Sequence, residues 1–159
     1  MRFPESEQER LGMKSEVLLK QEYEIRGGDF VKAGESSCRI RNTLREIGIN
    51  SDIIRRIAIA AYEAEMNVVM YAYRGTIHVD VYSDRILLIV DDKGPGIADI
   101  DEAMQPGFST ATEEMREMGF GAGMGLPNIK KNADVFKITS RAGKGTRLEI
   151  KIFLDGENA

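Results

Sequence analysis

Between positions 119 and 125 glycine recurs at every second residue: Gly119, Gly121, Gly123 and Gly125, followed by Leu126. Alternate glycine strips side chains from one continuous stretch of backbone. Such a stretch can take positive φ angles and bring its N–H groups up to an anion. Beyond Gly125, the residues Leu126, Ile129, Lys130 and Ala133 recur at helical spacing. A glycine-rich loop feeding a helix N-terminus suits a phosphate group. Taken alone, the pattern describes a flexible loop as well, so the rest of the chain has to decide between them. A Walker-type loop of the form GxxxxGK[ST] does not occur in the sequence.

The chain has 159 residues, the size of one domain with a real core. A hydrophobic content of 42% and a charged content of 30% fit an ordinary soluble globular protein, expected in the cytoplasm. The net charge is −4 and there is no basic run, which argues against nucleic acid as a direct partner. Cys38 is the one cysteine, so an intrachain disulfide and a cysteine-rich zinc site are both excluded. The first fourteen residues are polar and lack the apolar stretch of a signal peptide. The longest aliphatic run, Ile86 to Val90, is far too short to span a membrane.

Periodicity predicts a strand from Glu16 to Arg26, broken by Gly27-Gly28, with Asp29 placed to cap a helix. Phe30, Ala33, Ser37, Ile40, Leu44 and Ile47 then follow helical spacing up to Gly48. A second helix, capped by Ser51, carries Ile53, Ile54, Ile57, Ala61, Ala64 and Val68. Thr76–Tyr82 and Arg85–Asp91 flank the turn Ser83-Asp84 and read as a hairpin; His78 falls on its solvent side. Residues 94–125 are rich in glycine and proline without a period, the mark of a functional loop such as a lid. A short helix from Leu126 to Asn132 and the strands Val135–Ser140 and Thr146–Leu154 complete the chain. Hairpins with helices gathered elsewhere predict an α+β, two-layer sandwich.

Four segments carry chemistry. Glu63 and Asn67 stand four apart on the second helix, so both project from one face of an otherwise apolar stretch. The carboxylate suits a general base, and the amide oxygen suits a hard cation such as Mg²⁺. Asp92-Lys93-Gly94-Pro95-Gly96-Ile97 follows the strand Ile86–Val90 directly. It places an acid beside backbone that can be approached closely, a position from which it can accept a hydrogen bond from an adenine amino group. The glycine ladder is the third segment and Gly145-Thr146 the fourth. Taken singly, each also fits plain turn or surface chemistry.

In order and spacing the four segments resemble the N box, G1 box, G2 box and closing Gly-Thr of the ATP-binding fold shared by sensor histidine kinases, DNA gyrase and mismatch-repair ATPases, the GHKL superfamily. The resemblance runs from about Glu16 to Leu154. It implies a mixed, mostly antiparallel sheet covered by helices on one face, with an ATP lid. It also implies a domain at residues 16–154 between tails at 1–15 and 155–159. Within that superfamily, Tyr62-Glu63-Ala64-Glu65-Met66-Asn67, Tyr71-Ala72-Tyr73-Arg74-Gly75 and Gly123-Met124-Gly125-Leu126-Pro127-Asn128-Ile129-Lys130 are similar to the small serine/threonine kinases that act as anti-sigma factors or stress-switch kinases. Those kinases often carry histidine where Tyr71 stands, a departure that favours the switch-kinase branch.

The resemblance implies ATP and Mg²⁺ as cofactors. It implies Glu63 as the general base, Asn67 as the Mg²⁺ ligand, and Asp92 as the reader of adenine with Gly94, Gly96 and Ile97 close to the base. Gly119, Gly121, Ala122, Gly123, Met124, Gly125 and Leu126 form the phosphate loop in that reading, and Thr146 supports the water network at adenine. Glu65 is a second base candidate, on a different helix face. The implied partners are a STAS-domain antagonist of the anti-anti-sigma type and a sigma factor, with a homodimer as an implied assembly. The sole histidine, His78, lies in a strand after the N box, which argues against histidine autophosphorylation. A non-catalytic, ATP-gated binding module that sequesters a sigma factor is the alternative.

Overall fold

The computed structural model describes residues 16–107, 111–113 and 125–154. The elements run in the order β1 (Val17–Arg26), α1 (Glu35–Glu46), α2 (Ser51–Tyr71), β2 (Arg74–Tyr82), β3 (Arg85–Lys93), α3 (Ile100–Ala103), α4 (Gly125–Asn132), β4 (Val135–Arg141) and β5 (Gly145–Phe153). The five strands form one sheet in the order β1-β2-β3-β5-β4. Every described pairing is antiparallel, so the mixed element of the expected sheet is absent among the described residues.

Alternation along the strands decides which face is covered. Ile77, Val79 and Val81 on β2, Ile86, Leu88 and Val90 on β3, and Leu148, Ile150 and Ile152 on β5 are all buried on one side. Against them pack Ile40 and Leu44 of α1, Ile57, Ala60, Ala61, Ala64 and Val68 of α2, and Leu126 and Ile129 of α4. Burying each such aliphatic side chain stabilises the fold by roughly 1.5–3 kcal/mol. The long central helix touches α1 and α4 and serves as the spine of the helical layer. His78 sits on the opposite face of the sheet beside Glu22, as its alternation predicts.

Two helix starts differ from the sequence reading. The first helix begins at Glu35 rather than just after Asp29. Asp29 instead accepts the Lys32 N–H at 3.3 Å and closes a local turn, while Phe30 and Ala33 still pack against the core. Their helical spacing was real, but burial rather than helix geometry accounts for it. The second helix is capped by Asn50, whose side-chain oxygen accepts the Asp52 N–H at 2.8 Å; Ser51 is its first residue.

The ends of β1 and β3 meet the end of α2 at one end of the sheet. Gly28 N–H donates to the Val69 carbonyl at 2.7 Å and Gly27 N–H to Tyr73 at 2.9 Å, tying the end of β1 to the end of α2. Tyr73 N–H donates to the Lys93 carbonyl at 2.8 Å, which brings in the end of β3. A Cβ on Gly94 would lie 3.0 Å from Ala72 Cα, so the chain leaving β3 runs directly against the end of α2.

Candidate functional site

At this end of the sheet the predicted residues fall into two clusters. The first is built on α2 and the start of α4. Glu63 and Asn67, one helical turn apart, point toward Gly125, the last glycine of the ladder. A Cβ on Gly125 would stand 3.3 Å from Glu63 Oε2 and 3.4 Å from Asn67 Oδ1. Gly125 is not among the glycines with positive φ. Here the reason for glycine is space: a methyl at the start of α4 would fit tightly against the ends of the acid and the amide. Burial lifts the Glu63 carboxyl above the ordinary glutamate value, and a hydrogen bond from the Asn128 side chain partly offsets that rise. The reading of the residues had assigned no role to Asn128. Its position three residues after Gly125 on the same helix is the signal that could have found it.

On its other flank Glu63 borders a groove of about 320 Å³ between α1 and α2, lined by Gly34, Ser37, Cys38, Arg41, Ala58, Ile59 and Tyr62. Glu63 therefore lies between Gly125 and this groove.

The second cluster joins the end of β3 to the β4–β5 hairpin. Thr146 N–H donates to Asp92 Oδ1 at 3.1 Å. Among the described residues this is the hydrogen bond made to the Asp92 carboxylate. Burial raises the Asp92 carboxyl above the ordinary aspartate value; the Thr146 N–H lowers it, Asp91 raises it and Lys93 lowers it. Two glycines make the approach possible. Gly96 has φ 78° and its Cα faces the Arg141 carbonyl; Gly145 has φ 136° and lies against the Asp92 carbonyl. Any Cβ at either place would collide with backbone, and both φ values disfavour other residues.

Ser140, another residue without a predicted role, is the hub of this cluster. Its hydroxyl oxygen accepts the Ile97 N–H at 2.7 Å, lies 2.9 Å from Thr146 Oγ1 and is 3.2 Å from the Gly145 carbonyl. A hydroxyl has one proton and two lone pairs. Donation to Gly145 therefore leaves it to accept from both Ile97 and Thr146. Nothing in its sequence surroundings marks it, because its partners lie in two other segments, the turn after β3 and the start of β5.

The remaining candidates divide clearly. Leu126 is buried in the core, so its side chain packs rather than lines the cleft. The Ile97 side chain also packs against the core. Gly119, Gly121, Ala122, Gly123 and Met124 lie outside the described residues. Glu65, the second base candidate, is buried and turned away, bonded to backbone N–H groups of α1. Its carboxylate is thus occupied structurally. Met104, at the edge of the predicted lid, packs on the core.

A five-stranded antiparallel sheet covered on one face, with an acid-amide pair on the spine helix and an acid at the end of the third strand, defines an ATP-binding domain of the histidine-kinase type. Residues 37–152 match the histidine kinase-like ATPase domain. The chain belongs to that family and, within it, to the anti-sigma factor and stress-switch kinase group. It is 36% identical over 113 residues to the serine/threonine-protein kinase RsbT of Bacillus subtilis, covering 69% of this chain and 79% of that protein. It is 34% identical over 106 residues to the anti-sigma F factor of Caldanaerobacter subterraneus, covering 64% of this chain and 71% of that protein. The anti-sigma F factor of Heyndrickxia coagulans is 29% identical over 156 residues, covering 92% of this chain and 98% of that protein. The fold class and the superfamily read from the motifs are thus both upheld. Among the described residues no helix is long and apolar enough to cross a membrane.

Proposed function

We propose that this kinase-like anti-sigma regulator is an active, Mg²⁺-dependent serine/threonine kinase of the cytoplasm, which phosphorylates a STAS-type antagonist protein and thereby governs a sigma factor. The observation that supports this reading is the closeness of Gly125 to both Glu63 and Asn67, with the Glu63 carboxyl raised in pKa by burial; in the proposed site Gly125 ends the phosphate loop. In this reading Asp92 Oδ2 accepts a hydrogen bond from the adenine amino group, and Gly96 and Thr146 shape the adenine wall. Glu63 takes the proton of the acceptor hydroxyl, in reach of the groove as well as of the cleft.

Mg²⁺ suits the donors present. Among the described residues no cluster of three or more acidic, histidine or cysteine side chains could hold a metal ion. A neutral amide oxygen at Asn67, with phosphate oxygens completing the shell, is the kind of set Mg²⁺ favours. Asn67 would hold the ion, which supplies charge neutralisation on the phosphates. Phosphoryl transfer depends mainly on positioning and electrostatics, so the chain needs little beyond a base and donors in place.

The test is incubation with Mg²⁺, labelled ATP and candidate STAS-domain proteins. Label is expected on a serine or threonine of the acceptor, falling by about 10²–10⁴-fold in Glu63→Gln. No label, with Glu63→Gln behaving as wild type, rules out the kinase reading. Capture of a sigma factor that survives loss of transfer in Asn67→Asp would identify the ATP-gated binding module instead.

A further inference from the structure

Glu65 lies between Glu63 and Asn67 in sequence but on another face of α2, and it is 2% exposed. Its carboxylate receives three backbone N–H groups from the start of α1. Gly34 donates to Oε2 at 3.0 Å, Ser36 to Oε2 at 3.3 Å and Ser37 to Oε1 at 2.9 Å. A helix N-terminus leaves such donors unsatisfied unless a cap takes them. The N-cap of α1 is Gly34, at φ 94° and without a side chain to serve. The cap is therefore supplied from 31 residues away, on a different helix. A buried negative charge is also favourable at the positive end of a helix.

A local cap would stabilise α1 alone. A remote one also fixes where α1 lies. Gly34 and Ser37, two of the residues bonded to Glu65, line the groove that ends on Glu63. One carboxylate thus holds the α1 wall of the groove to the helix that carries the proposed base. We propose that Glu65 is a positioning residue for the protein acceptor: it keeps the α1 wall in register with Glu63, and so acts on the approach of the acceptor hydroxyl rather than on the nucleotide. The proposal rests on the kinase reading above.

Glu65→Gln replaces one acceptor oxygen by an NH₂ group facing a backbone donor; Glu65→Asp keeps the charge but withdraws it by one methylene. With the STAS-domain protein labelled above as acceptor, Glu65→Gln is expected to raise the acceptor KM by about tenfold while leaving kcat and the KM for ATP within roughly twofold. Glu65→Asp is expected to fall between it and wild type. A second readout uses Cys38, the one cysteine of the chain and a lining residue of the groove. Its alkylation by iodoacetamide is expected to speed up by roughly fivefold as the first turns of α1 loosen. An unchanged acceptor KM, or a fall in kcat alone as from a smaller folded fraction, overturns the proposal. If Glu65→Gln does not fold, Glu65→Asp decides by the same measurements. If the wild-type protein labels no acceptor, the kinase reading fails by itself; an unchanged alkylation rate then independently removes the tie between Glu65 and the groove wall.

Discussion

A carboxylate that must take a proton near neutral pH works better when its surroundings lift its pKa toward that range. Burial does this for Glu63, and the Asn128 side chain restrains the rise. If Glu63 is the base proposed above, transfer needs its ionised form, and the rate should fall on the acid side at a pH above the ordinary glutamate range. Asp92 is raised by burial too, and in the proposed adenine contact its ionised form is the stronger acceptor. Nucleotide affinity should therefore weaken on acidification through its raised pKa. Stability moves the other way. A carboxyl raised in the folded state contributes stability that is fully present below its unfolded pKa and lost as pH rises through the folded one. Asp92→Asn should weaken nucleotide binding by about 10–100-fold and flatten the pH dependence of affinity, through loss of one charged hydrogen bond. Calorimetric titration across pH checks both. Glu63, Asn67 and Asp92 were legible as candidates because helical spacing marks the first two and a strand end followed by glycines marks the third. Ser140 and Asn128 were not, because a single polar residue gains meaning only from partners that folding brings to it.

The helix α4 shows how one element serves packing and chemistry together. Leu126 and Ile129 bury its inner face, while Gly125 at its first position leaves room for Glu63 and Asn67. Gly125→Ala should change stability by less than about 1 kcal/mol, because the helix preference of alanine is offset by the tight fit of its methyl against Glu63. It should also weaken nucleotide binding by about tenfold, because the methyl would stand inside the contact distance of both side chains. Thermal melts and equilibrium binding on one sample separate the two effects. Periodicity located α4, α2 and all five strands to within a residue or two. It misplaced the start of α1 because Phe30 and Ala33 are buried from a turn. It could not find the true cap of that helix, since Glu65 is remote in sequence and sits in a run where a base was the natural reading.

At the scale of the whole molecule, the antiparallel order β1-β2-β3-β5-β4 brings the end of β3 beside the start of β5, and the turn after β3 against the end of α2. The two halves of the site come from segments that share no local sequence and meet only through the sheet. A nucleotide that bridges them should stabilise the native state alone. With MgATP at 100 times its dissociation constant the gain is about 2.7 kcal/mol. For a domain of this size that corresponds to a rise of roughly 5–10 °C in Tm. Asp92→Asn should remove roughly half or more of the shift at the same nucleotide concentration, and an unchanged shift would place nucleotide contact elsewhere. Differential scanning calorimetry with and without MgATP makes the comparison.

The sequence by itself determined the layer architecture, the spine helix with Glu63 and Asn67 on one face, and the acid that ends β3. These follow from periods of 2 and 3.6 residues and from spacings within one segment. Tertiary structure decided what no spacing contains. It set Gly125 against the acid-amide pair, made Ser140 the hub between three segments, and gave Glu65 to the end of another helix instead of to the cleft. Each of those outcomes depends on which distant backbone groups the packed sheet and helices leave unsatisfied, and a buried polar group must find its partner wherever the fold supplies one.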